Sequence, residues 1–134
     1  MLQSKSILCV DDDKSVRDII VSVMERAGYQ IYCTGDPEDA YTAFCELKPF
    51  LLLMDLVLEN SQKINGVVLA SRMKEYAPNA TFVALTGYLQ NFDFGRLRQV
   101  FDEILHKPVS QKILYDVAQD AFERSIRWDS YLRG

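Results

Sequence analysis

Four apolar runs in this chain end on groups that can do chemistry. Ile7 to Val10 runs into Asp11, Asp12 and Asp13; Phe50 to Met54 runs into Asp55; Thr81 to Leu85 ends on Thr86; and Glu103 to His106 ends on Lys107-Pro108. Each run is too short for a helix, and Phe50 to Met54 lacks the alternation of a half-exposed strand, so it reads as a strand covered on both faces. In an open parallel sheet all four ends would lie along one edge, where such sheets collect their chemistry. Taken alone, Asp55 could equally be a helix N-cap or a solvated loop carboxylate. Beside Asp11 and Asp12 it becomes one of three acids that repel one another and raise one another's pKa unless a cation intervenes. Hard carboxylate oxygens with no nearby histidine or cysteine ligand set suit Mg²⁺. A hydroxyl and an ammonium facing the same point suit an anion held next to the metal, most simply a phosphoryl group.

The stretches between these runs carry helical patterns. Val16, Ile19, Ile20, Val23, Met24 and Ala27 recur at helical spacing and stop at Gly28. Tyr29 to Thr34 is rich in β-forming residues. Asp36-Pro37-Glu38 then offers an N-cap, a first-turn proline and an early acid for a helix to about Leu47, burying Ala40, Ala43, Phe44 and Leu47. Gly66 opens a helix with Val67, Ala70, Met73 and Ala77 inward. The stretch from Tyr88 to Phe101 predicts a short helix interrupted near Gly95. Ser110 caps a last helix with Ile113, Leu114, Val117, Ala118, Ala121 and Phe122 inward, extending toward Trp128 and Tyr131. Five strands alternating with five helices predict an α/β three-layer sandwich around a parallel sheet.

At 134 residues the chain has the length of one ordinary domain, and 1–134 is expected to be a single domain with no output domain attached. The net charge of −4 gives no reason to approach nucleic acid or an anionic membrane surface. Cys9, Cys33 and Cys45 have no metal-ligand spacing and read as small apolar residues of a reducing, cytoplasmic setting. Asp13 and Lys14 read as an N-cap and a solvated first turn, and His106, the single histidine, as a structural side chain.

With Val10-Asp11-Asp12, Arg17 five positions after Asp12, Asp55, Thr86 and Lys107-Pro108 in this order, the chain resembles the receiver domain of two-component response regulators over essentially its whole length. The resemblance implies a flavodoxin-like sheet of strand order 2-1-3-4-5. It also implies that Asp55 accepts a phosphoryl group from a phosphohistidine on a sensor histidine kinase or phosphotransfer protein, and so switches binding to a downstream effector. Mg²⁺ would be bound by Asp12, Asp55 and the Val57 backbone carbonyl, and by Asp11 through water. Thr86 and Lys107 would each bond a phosphoryl oxygen, and the Lys107–Pro108 bond would be cis. Such a protein is a phosphoryl acceptor with slow self-dephosphorylation rather than an enzyme.

Three departures from that family stand out. Eleven positions separate Asp55 from Gly66, a longer loop than usual, with Glu59 where proline is common. Ile104 stands where an aromatic residue is frequent, and Gly87 where a small residue such as alanine is. Two other functions compete. Asp11-x-Asp13 after an apolar strand resembles the nucleophile and acid of haloacid-dehalogenase-type phosphohydrolases, with Asp11 attacking, although Asp55 then has no role. A degenerate receiver could also serve only as a docking module.

Overall fold

The computed structural model describes residues 5–58, 65–87 and 92–133, with side chains to residue 128. Glu59, Asn60, Gln62 and Tyr88, and the side chain of Tyr131, lie outside the described residues.

The order of elements is β1 (Ser6–Val10), α1 (Lys14–Arg26), β2 (Gln30–Thr34), α2 (Pro37–Leu47), β3 (Leu51–Asp55), α3 (Gly66–Tyr76), β4 (Thr81–Thr86), α4 (Phe94–Leu97), β5 (Glu103–His106) and α5 (Gln111–Arg133). All strand pairings are parallel, in the order β2-β1-β3-β4-β5. The predicted α/β sandwich and its 2-1-3-4-5 sheet are therefore the observed ones. Among the described residues no helix is long and apolar enough to cross a membrane.

The continuous apolar character of β1, β3 and β4 follows from burial on both faces. Leu8, Val10, Leu52, Met54, Phe82 and Ala84 face a core completed by α2, α3 and α4. Their sequence neighbours Ile7, Cys9, Leu51, Leu53, Val83 and Leu85 face a second core completed by α1 and α5. The side strands β2 and β5 are half-buried, with exposed positions along each.

Helix ends follow the expected chemistry. Asp13, Asp36 and Asn65 cap α1, α2 and α3 through backbone N–H groups two or three residues on. Gly28 takes a positive φ of 91° just past α1. Some expectations need correction. β3 begins at Leu51 rather than Phe50, and it ends on Asp55, whose backbone still pairs with Leu85. Gly95 lies inside α4 rather than interrupting it, since its N–H donates to the Asp93 carboxylate. Ile19 and Ile113 are 60% and 45% exposed, and Ala27 is exposed as well. Ile19 and Ile113 sit at the margins of stripes whose centres, Ile20 and Leu114, take the buried positions.

Asp102 closes the entry to β4. Its N–H donates to the Phe82 carbonyl (2.7 Å) and its Oδ2 accepts the Phe82 N–H (2.8 Å). Asp102→Ala leaves that buried donor unmatched and should lower stability by about 1–3 kcal/mol. Urea unfolding checks this: the expected change is a lower midpoint at unchanged slope. An unmoved midpoint contradicts it.

Candidate functional site

β1 and β3 are neighbours, while the chain leaves β1 for β2 on one side and returns to β3 on the other. A crevice opens at such a reversal, beyond the carboxyl ends of the strands. Asp11 directly follows β1 and Asp55 ends β3, so the topology places them on its two banks. A cavity of about 350 Å³ lies there, lined by Asp11, Asp12, Asp13, Asp55, Val57, Gly87 and Lys107.

Asp11 is fully buried, and both carboxylate oxygens are engaged. Oδ1 accepts the Asp13 N–H (2.9 Å) and Oδ2 accepts from Lys107 Nζ (2.6 Å). Lys107 also reaches Asp55 Oδ2 (3.3 Å), so one ammonium spans two carboxylates. The other Asp55 oxygen, Oδ1, accepts the Val57 N–H (3.1 Å), which aims the carboxylate along the loop it begins. Oxygen atoms of Asp11, Asp12 and Asp55 lie within 4.8 Å of one another. Three oxygen donors that close, with no nitrogen or sulfur among them, fit a small hard cation.

The electrostatics express this crowding. Burial, and then the neighbouring Asp11 charge, push the Asp55 carboxyl up to about 6, against the opposing Val57 N–H bond and Lys107 charge. Burial lowers the Lys107 pKa, but the Asp11 bond and the charges of Asp55 and Asp11 outweigh it and leave the ammonium more basic than usual. Lys107 therefore stays charged at neutral pH. It precedes Pro108 through a cis bond, as expected.

Thr86 ends β4 fully buried, and its carbonyl accepts the Lys107 N–H (2.9 Å). Gly87 forms the cavity wall there. Of the six predicted site residues, Asp11, Asp12, Asp55, Val57 and Lys107 line one cavity, and Thr86 adjoins it. Asp13 caps α1, with Oδ1 held by the Ser15 N–H and hydroxyl (2.9 and 2.7 Å). His106 is exposed on the side strand and is not among the residues that line the cavity.

Two glycines shape the site in ways their sequence positions do not reveal. A Cβ on Gly66 would overlap the Asp55 carbonyl oxygen and come within 3.0 Å of the Asp55 carbonyl carbon. Gly66 thus lets α3 start directly against the end of β3. Gly35 does the same for the backbone of Asp11 and Asp12. Sequence marks the first as a helix opener and gives no sign of the second.

The raised Asp55 pKa has a sign for stability. Between the ordinary value of 3.8 and about 6 the folded state holds a proton that the unfolded state has released, so this group's contribution falls as pH rises through that window. In metal-free protein, Asp55→Asn should be more stable than the unmutated chain at pH 7 by roughly 1–3 kcal/mol. The gap should close near pH 4. Urea unfolding at both pH values checks this, and an equal gap at each contradicts it.

The comparisons with known proteins agree with this geometry. Residues 7–119 match the family model described as the response regulator receiver domain. The phosphate regulon transcriptional regulatory protein PhoB of Pseudomonas aeruginosa is 29% identical over 118 residues, covering 82% of this chain and 48% of that protein. The response regulator receiver protein CpdR of Brucella abortus is 34% identical over 85 residues, covering 63% of this chain and 68% of its own. This chain thus spans about half the length of PhoB. The crystal structure of the NtrX receiver domain from Brucella abortus superposes with a TM-score of 0.78 at 25% identity, covering 87% of this chain and 98% of that one. A CheY-like receiver domain from Methanospirillum hungatei superposes at 0.79, with 21% identity, covering 91% and 96%, and bears on the fold alone. The chain belongs to the response regulator receiver domain family of two-component signalling.

Proposed function

We propose that this receiver accepts a phosphoryl group on Asp55 from a phosphohistidine of a sensor histidine kinase or phosphotransfer protein. The single observation that carries this reading is the convergence of Asp11, Asp12, Asp55 and Lys107 on one cavity. An Asp55 carboxylate oxygen attacks phosphorus as the P–N bond breaks, and the bonding pair leaves on the imidazole nitrogen. The chain contributes alignment and charge, which is most of what phosphoryl transfer asks of a protein. Lys107 meets the charge on the phosphoryl oxygens, and the Thr86 hydroxyl bonds one of them.

Asp12, Asp55 and the Val57 carbonyl would hold Mg²⁺ directly and Asp11 through water. Bound there, Mg²⁺ would neutralise the carboxylates and supply positive charge for the transferring group. Once Asp55 carries phosphate, its bond to Lys107 is exchanged for one from the phosphate. The resulting change at the strand ends alters binding to a downstream effector, so the protein acts as a switch rather than an enzyme.

Incubation with a small phosphodonor and Mg²⁺ tests the assignment. Asp55→Asn should lose labelling, Asp12→Ala should weaken Mg²⁺ binding, and Lys107→Ala should keep the metal while blunting the response to phosphorylation. Labelling of Asp55→Asn at the unmutated rate sinks the proposal.

The lifetime of the phosphorylated state follows from the cavity wall. Hydrolysis needs water in line with the Asp55–phosphorus bond, and Val57, two residues after Asp55, lines the cavity with a side chain that cannot hydrogen-bond water. Self-dephosphorylation should therefore be slow, and Val57→Asn should shorten the lifetime, alone or combined with Tyr88→Glu. Decay curves of labelled protein check this; equal lifetimes would remove Val57 from the account.

A further inference from the structure

Arg17 belongs to the pattern that identifies the family. Its Nη1 donates to the backbone carbonyl of Asp11 (2.8 Å). The reason lies in how β2 leaves the sheet. The Asp11 N–H still pairs with the Thr34 carbonyl (3.0 Å), continuing the β1–β2 ladder one step past the strand. The next rung would take a donor from the chain after Thr34, but the Asp36 N–H turns back onto Thr34 Oγ1 (3.1 Å). Arg17, one turn into α1, supplies the donor that β2 does not.

Gly35 makes room for it. A Cβ at that position would lie 2.9 Å from Arg17 Nη1, 3.0 Å from the Asp12 Cα and 3.2 Å from the Asp11 carbonyl oxygen. No φ in the left-handed region is involved at Gly35, so the demand is for space alone. Asp11 is thus held at three points: its N–H by the Thr34 carbonyl, its carboxylate by the Asp13 N–H (2.9 Å), and its carbonyl, the acceptor of the Asp11–Asp12 peptide, by Arg17. Carboxylates crowded within 4.8 Å push apart, and the softest route to relief is rotation of the peptide that joins two of them.

We infer that Arg17 and Gly35 form a backbone brace that fixes the direction in which Asp12 leaves β1, making both of them positioning residues for the metal site. The inference rests on the Mg²⁺ reading above, and its test separates the two. Mg²⁺ titration by calorimetry on Arg17→Met and Gly35→Ala should show a Kd raised at least tenfold and several-fold, respectively. Lys14→Met controls for charge: it removes one positive charge from the same helix, from a side chain that is 77% exposed and paired with Asp18, and should stay within twofold of the unmutated protein. Arg17→Lys should fall between the unmutated protein and Arg17→Met.

A second readout needs no metal. Hydrogen exchange of the Asp13 amide in metal-free protein should quicken at least tenfold in Arg17→Met, while amides at the centre of β3 stay protected. If the unmutated protein fails to bind Mg²⁺, the metal reading falls and the brace stands or falls on this exchange. If Gly35→Ala does not fold, Arg17→Met carries the test. A Kd within twofold for Arg17→Met, an equal loss in Lys14→Met, or unchanged Asp13 exchange overturns the inference.

Discussion

The constraint on which this structure turns is the gathering of three carboxylates beside one ammonium. Lys107 bonds Asp11 at 2.6 Å and Asp55 at 3.3 Å, and both acids are buried. Burial is costly for charges, and breaking one partner out of such a group leaves the others uncompensated. The cluster persists because elements far apart in sequence meet at one edge of a tightly filled sheet: residues 11 and 107 lie 96 positions apart. The sheet holds these strand ends together, and a divalent cation or a phosphoryl group bound there would change the balance of charge among Asp11, Asp55 and Lys107.

Around this rigid edge the elements are unequal. β3 and β1 have no exposed residue, and α2, α3 and α5 bury whole stripes. α4 is a single turn, Phe94–Leu97, anchored by buried Leu97 and by Phe101 just beyond it. Lys74 Nζ reaches over from α3 to the Val100 carbonyl (2.9 Å) and holds the end of that segment. Short elements with few buried contacts open most readily. α4 follows β4, whose last residue is Thr86, so the least anchored helix is joined in sequence to a group of the site. Ile104, half-buried against the core that contains Leu97 and Phe101, offers a branched aliphatic where an aromatic rotamer could have taken part.

Much of this was legible in the sequence, for identifiable reasons. The double-sided burial of β3 shows directly as Phe50 to Met54, and Asp36-Pro37-Glu38 marks the start of α2 because capping chemistry is local. The site was legible because strand ends in a parallel sheet share an edge, so the positions of Asp11, Asp12, Asp55 and Lys107 at the ends of their runs already join them. What sequence did not show depends on through-space distance. The exposure of Ile19 turns on where the stripe of α1 meets the sheet. The need for Gly66 depends on the Asp55 carbonyl oxygen lying where its Cβ would be, and the role of Gly35 on the path of Arg17. None of these distances has a local signature.

The central claim is that the cluster directs a phosphoryl group to Asp55 and to no other acid. Borohydride reduces an acyl phosphate to the alcohol, so treating the protein after exposure to a small phosphodonor and Mg²⁺ converts the modified aspartate to homoserine. Peptide mapping then reads its position. The account predicts homoserine at position 55, dependent on Mg²⁺, with Asp11 and Asp12 unchanged. Homoserine at position 11, or none at 55 with the phosphodonor consumed, contradicts it.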